Sequence, residues 1–266
     1  MRDNFYIVLP SNSSISYFPD NTTTRFITRL PQQLHLHGEW GVSLNDIQIP
    51  MTFLHLPKTY ETHYISVSSS PIQTKHDDNE IISKRHPIPC GVYYSINELI
   101  ETVNSIHPTI TQHFIFEIER NGYISVRRLC VDCGDIPHTF FLSPTLNHIF
   151  GFENIQHKVP QNGKKYALKP ASLISALPSA IFIYTDICES YITGDIQSPL
   201  LRIVPLNTES YIYGSVKHKS FSSPKYIPLL HNSLQTIEID IRDEFGKSIP
   251  FEYGTLTVTL HFKRLD

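Results

Sequence analysis

Cysteine is scarce, with only Cys90, Cys130, Cys133 and Cys188 in 266 residues. Four thiols are too few to staple a chain of this length, and they agree with a reducing compartment. Tryptophan occurs once, at Trp40, which thins the case for a glycan site built on exposed indole platforms. Neither sign of charge is in excess: 22 Lys and Arg against 25 Asp and Glu leave a net charge of −3. Such a balance offers no footprint for neutralising phosphates, so direct nucleic-acid binding is disfavoured. No apolar run approaches the ~20 residues that span a bilayer as a helix. The longest are stretches such as Ala180–Tyr184. Met1–Phe5 lacks the apolar core of a secretion signal, so the expectation is a soluble product made inside the cell and not secreted. Asn12-Ser13-Ser14 and Asn21-Thr22-Thr23 match the glycosylation pattern and, without such a signal, read as chance. Glycine-rich phosphate loops, GxSxG, HExxH and EF-hand spacings are all missing, so no catalytic residue and no cofactor is expected.

What is present is aromatic and β-forming. Tyr and Phe number 14 and 15, and Pro (19) outnumbers Gly (11), a mixture suited to strands joined by proline-marked turns. An apolar content of 40% over this length can bury a sizeable core.

Three regions emerge, 1–70, 71–165 and 166–266. In the first, Phe5–Leu9 is a short strand ended by Pro10. Phe26, Thr28, Leu30 and then Trp40, Val42, Leu44 recur at every second position, the period of a half-buried strand, which points Trp40 inward. After Asn45-Asp46 the parity flips to Ile47 and Ile49, which calls for a bulge or a sheet-changing bend.

The second region opens with the polar crossing Lys75–Glu80. Ser95 and Glu98 then form a capping box with Tyr94 and Leu99 as its staple, ahead of a stripe of Ile96, Leu99, Ile100 and Val103 at helical spacing. In the run Phe114–Val126, a three-residue loop Arg120-Asn121-Gly122 pairs Ile118 with Ile124 and Phe116 with Val126. A two-residue turn would set charges against apolar residues, so the longer loop with a left-handed Gly122 is expected. Ser143-Pro144 starts a short helix that Gly151 ends. The third region returns to strands: Ala180–Ile187, apolar enough for burial on both faces; Leu200–Val204; and two alternating runs, Ile237–Ile241 and Leu256–Phe262, read as a paired hairpin.

The candidates for chemistry are thin. Cys130-Val131-Asp132-Cys133 is a lone CxxC whose nearest further ligand is His138, and reduced cysteines beside a turn are the preferred reading. His35 and His37 share a strand face without a third ligand. Carboxylates cluster in Asp186–Glu189 and Asp240–Glu244; a glycosidase-type pair would need two of them facing across a cleft, and Asp243-Glu244, ahead of a Gly in a tight turn, read as solvated loop acids.

The run "FYIVLPSNSSISYFPDNTTTRFITRLP", then "GEWGVSLNDIQIP", "IPCGVYYSINELIETVNSI", "LSPTLNHIFGF", "IFIYTDIC" with "GDIQSPLLRIVP", and the ending "IEIDIRDEFGKSIPFEYGTLTVTLHF" together resemble the penton, or minor capsid protein, of Polinton (Maverick) elements and adintoviruses. The resemblance spans most of the chain in the expected order. It implies a mainly β protein, a single jelly-roll antiparallel β-sandwich with an inserted small α+β domain. Its function would be to form homopentameric vertices of an icosahedral particle beside a double-jelly-roll major capsid protein, in the virion, with a host receptor as a further partner. Jelly rolls have about eight strands, which the flanking regions supply.

A closed ring needs head-to-tail contacts, which favour aromatic and Arg anchors. Tyr17, Phe18, Asp20 and Arg25 are accordingly expected to form a knuckle that docks either on its own sheet or on a neighbouring subunit; Tyr211 and Tyr213 are a second candidate surface, for which an ordinary β strand is the preferred reading. A carbohydrate- or receptor-binding sandwich is the alternative. Thr193-Gly194-Asp195 is not the Arg-Gly-Asp that integrins read.

Overall fold

The computed structural model describes residues 3–58, 63–68, 85–129, 138–207 and 211–265. Contacts divide the chain into two compact units, 1–53 with 178–266, and 54–177.

The first unit holds eight principal strands: β1 (Asn4–Pro10), β2 (Arg25–His35), β3 (Trp40–Pro50), β4 (Ala180–Thr185), β5 (Leu200–Pro205), β6 (Val216–Ser220), β7 (Ser233–Arg242) and β8 (Thr257–Arg264). They form two antiparallel sheets, ordered β1-β8-β3-β6 and β5-β4-β7-β2. First pairs with eighth, second with seventh, third with sixth and fourth with fifth. Such nesting is a long hairpin rolled into a two-sheet sandwich, the jelly roll. The 54–177 unit is inserted between its third and fourth strands.

Periodicity explains the core. Phe26, Val42, Leu44, Ile239, Leu260 and Phe262 all turn inward and are fully buried, each stabilising by about 1.5–3 kcal/mol on the scale for burying such side chains. The parity flip in β3 is a bulge: Leu260 faces Leu44 and Thr259 faces Asp46, leaving Asn45 unmatched. Leu44 and Ile47 can therefore both face the core within one sheet.

Three expectations for the sandwich change. The last two strands are not a hairpin, because β7 pairs with β2 and β4 while β8 pairs with β1 and β3 in the opposite sheet. The turn after β7 closes on itself, Asp243 and Lys247 bonding through their backbones at 2.8 Å. Nor is β4 buried on both faces: Ile181, Ile183 and Thr185 are buried while Phe182 and Tyr184 are half-exposed, since a sandwich strand has one core face. The units divide at 53/54 and 177/178 rather than at 70/71 and 165/166. Strand Tyr64–Ser68 pairs with Arg85–Pro87 and His138–Leu142, and strand Lys164–Pro170 with Tyr123–Arg128, all inside the second unit.

The second unit packs helices α1 (Ile96–Ser105), α2 (Pro108–His113) and α3 (Pro144–Phe150) with two sheets around Phe114, Phe116, Phe140, Phe150 and Phe152. Ser95 Oγ accepts the Glu98 N–H at 3.1 Å, and Leu99, Ile100 and Val103 are buried. The staple is absent: Tyr94 is 85% exposed, and its N–H donates to the Glu98 carboxylate at 2.7 Å. The hairpin keeps the three-residue loop, pairing Ile118 with Ile124, with Gly122 at φ 83°. Gly151 ends α3 at φ 78°, where a Cβ would lie 2.1 Å from the Lys169 carbonyl oxygen. Cys130, Cys133 and the crossing Lys75–Glu80 lie outside the described residues.

Candidate functional site

Four connections of the sandwich meet at one end: 11–24, the segment 51–53 that leaves the sandwich, the described residues 206–207 and 211–215, and 243–256. Hydrogen bonds knit them together. Ser11 N–H donates to the Leu256 carbonyl (2.8 Å), Thr23 Oγ1 to that of Gly254 (3.0 Å), Thr52 Oγ1 to that of Tyr253 (2.8 Å) and Gly214 N–H to that of Met51 (2.8 Å). All six contact residues expected from the sequence lie on these connections or, like Arg25, at the strand end beside them.

The knuckle is built on Ser14, which takes a left-handed φ of 57° so that its carbonyl accepts the N–H groups of both Tyr17 and Phe18 at 2.9 Å. Its hydroxyl accepts the Arg29 N–H (3.0 Å), and the Arg29 guanidinium lies 4.6 Å from the Tyr17 ring centroid. Asn21 completes the attachment: its carboxamide accepts from Ile27 N–H and donates to the Ile27 carbonyl, both at 2.9 Å, and donates to Ser13 at 3.2 Å. β2 is the outer strand of its sheet. Asn21 and Ser14 thereby occupy backbone groups that an outer strand otherwise offers to another chain. The knuckle lies against its own β2, with Tyr17 61% exposed, Asp20 exposed and Phe18 half-buried.

Arg25 reaches across to Glu238, Nε to Oε1 at 2.6 Å, and that hydrogen bond raises its pKa. Next to it Arg242 grips Asp240 at 2.7 Å. Asp186 accepts the Glu238 N–H at 2.8 Å, and burial pushes its carboxyl above the usual range. The outer face of this sheet thus carries interleaved charges of both signs.

Tyr211 is an internal tether. Its phenol donates to the Phe53 carbonyl, its ring stacks on Phe53, and burial raises its pKa. Tyr213 sits edge-on to Tyr253, centroids 5.9 Å apart. Beside them stand Ile212 (68% exposed) and Tyr253 (54%), and Phe245 (80%) projects from the 243–247 turn, all of which sequence reasoning missed. An apolar residue inside a Gly- and acid-rich turn, as at Phe245, was the available signal.

The other candidates resolve into structural roles. Asp243 Oδ1 accepts from Phe245 and Lys247 N–H, and Glu244 accepts from Ser179. His35 and His37 line an open depression of about 890 Å³ with Glu189 and His231 at the opposite end of the sandwich. No group of three metal-ligating side chains occurs among the described residues. Trp40 is only 4% exposed and donates to the His37 carbonyl, so it offers no stacking platform. Gly194 (φ 65°) tips a small ribbon, Tyr191–Thr193 with Ile196–Ser198. No helix among the described residues is long and apolar enough to cross a membrane.

No family model matches the chain, and no curated protein does. Solved structures align along nearly its whole length. The mavirus penton protein matches at 9% identity and a TM-score of 0.48, over 98% of this chain and all of that one. A chain from the Sputnik virophage structure matches at 14% identity and a TM-score of 0.49, over 99% and 98%.

Proposed function

We propose that this chain is a structural vertex protein of an icosahedral capsid, five copies closing a ring beside a double-jelly-roll major capsid protein. The observation that carries the reading is the nested pairing of eight strands with a separate compact unit inserted after the third. That architecture is what the ordered motifs of the Polinton penton resemblance imply. The role asks for surface rather than catalysis: rigid aromatics on loops braced by a scaffold, with charged pairs of both signs nearby. Ring closure uses heterologous contacts, for which Tyr17, Phe18, Asp20, Arg25 and Tyr213 stand on suitable ground. Tyr211 serves by holding its loop in place. The inserted unit is free to meet a host receptor, and the site of action is the virion.

Light scattering behind a sizing column is the test. Five copies per particle are expected, alone or on co-expression with the major capsid protein, and a Phe18→Ala/Arg25→Ala variant should dissociate with its β content unchanged. A strict monomer in both settings would sink the reading.

A further inference from the structure

Histidines divide unevenly between the units. In the sandwich His35, His37, His218 and His231 are exposed and His261 is half-buried; in the inserted unit His55, His63, His86 and His157 are buried, His107 and His113 half-buried and His148 exposed. We propose that the inserted unit is an acid-triggered switch, in which protonation of the buried imidazoles of His55 and His157 opens residues 54–177 while the eight-stranded sandwich stays closed.

The contacts of both rings favour the neutral form. His55, 5% exposed, uses Nδ1 to accept the backbone N–H of Tyr93 at 3.2 Å. An accepting nitrogen carries no proton, so adding one sets donor against donor in a buried place. His157, 2% exposed, donates from Nε2 to the Glu153 carbonyl at 2.9 Å, and its buried Nδ1 has no hydrogen-bond partner among the described residues. Protonation there creates a buried N–H with no acceptor on a cation.

The surroundings deepen the effect. Facing His157 are the rings of Phe140 and Phe152, each 5.0 Å away, with Lys165 and Glu153 as the charged groups. Burial depresses its pKa and Lys165 adds to this, against the Glu153 carbonyl and carboxylate. Facing His55 are Tyr93 and, from the start of α1, Glu98; burial lowers its pKa and Glu98 opposes. In the sandwich His261 is depressed, by burial and then Lys263.

The direction follows from linkage. Both folded-state values lie below the free imidazole's, so as pH falls below about 6.5 the opened unit takes up protons that the closed one refuses, and stability drops. From pH 6.5 to 5.5, where the opened imidazole starts half protonated, each site favours opening by up to about fivefold and two together by up to about thirtyfold. The proposal is independent of the vertex reading.

Amide hydrogen exchange of the full chain at pH 7.5, 6.5 and 5.5, corrected for intrinsic rates, tests it. Between pH 6.5 and 5.5, amides of α1 and of the Phe114–Arg128 hairpin should lose protection by up to about thirtyfold, while those of β3 and β8, where His261 is the one depressed imidazole described, should lose at most about fivefold. His157→Gln keeps an amide donor for the Glu153 carbonyl but cannot titrate, and should cut the loss over that unit to about fivefold. Protection of the inserted unit that ignores pH, loss that is equal in both units, or an unchanged slope in a folded H157Q protein would each overturn the switch. Should that variant not fold, the wild-type comparison of the two units decides alone.

Discussion

The two units close in opposite ways. The sandwich is sewn shut by the ends of the chain, Asn4 meeting Lys263 and Arg25 meeting Asp240. The inserted unit is built mostly from near neighbours, such as the hairpin of Phe114–Ile118 with Tyr123–Arg128, against which α1 packs. Yet both solve their edge problem with one device. Asn21 clamps both backbone groups of Ile27 on the outer strand β2, and Asn104 clamps those of Phe116 on the outer strand Phe114–Ile118, every bond 2.9 Å. A carboxamide has the donor and acceptor of a peptide group, so one asparagine stands in for a missing strand. Closure differs with topology; edge chemistry does not.

The largest expected effect tests whether the units are separate cores. Phe140 meets Phe114, Phe116 and Phe152 edge-on, with centroids 5.3–5.9 Å apart. Phe140→Ala should cost about 3–5 kcal/mol, the usual price of such a cavity. Calorimetry should place the whole loss in the inserted unit's transition. A sandwich transition that falls equally would erase the distinction between the units.

A smaller effect tests the shared clamp. Asn21→Ala and Asn104→Ala should each destabilise their own unit by about 1–3 kcal/mol, because each strands peptide groups at an edge. Asn104→Asp is sharper: it keeps the acceptor for the Phe116 N–H but sets a carboxylate against the Phe116 carbonyl. It should be at least as damaging as Ala. An Asp variant as stable as wild type in chemical denaturation would show that the clamp is decorative.

Legibility in the sequence followed range. The bulge at Asn45, the α1 stripe and the register around Gly122 each leave a local pattern, because side-chain parity or turn chemistry sets them within a few residues. The separation of β7 from β8 leaves none, since it is set by pairings between distant parts of the chain, Arg25 with Asp240 and Asn4 with Lys263. The clamps were hidden for a related reason: Asn21 reads as a turn residue and Asn104 as an ordinary helix surface until the strands they reach are in place. At the candidate contact end the sequence exposed the knuckle and the Tyr211–Tyr213 pair. It did not reveal that Tyr211 spends its phenol on the Phe53 carbonyl, an interaction across 158 positions.

The smallest effect separates two kinds of acid response within the inserted unit. Glu117 accepts from Lys164 at 3.1 Å and Arg127 at 3.3 Å, and Lys164 also reaches Glu119 at 2.7 Å. The Lys164 bond holds the Glu117 carboxyl below its ordinary value, with Arg127 adding to it against partial burial. A carboxyl depressed in the folded state stabilises above its unfolded pKa of about 4.3 and loses that contribution as pH falls through the folded value. Because these side chains are about a third exposed, water and salt reduce the contribution to about 0.5 kcal/mol. Glu117→Gln should therefore lower stability slightly at neutral pH, less so in high salt, and flatten only the part of the stability curve below about pH 4.3. The fall between pH 6.5 and 5.5 should stay unchanged, because it belongs to buried imidazoles and not to a surface ion network. If denaturant titrations across pH show that E117Q removes the fall near pH 6, the surface carboxylates govern the response there and the two acid windows are one.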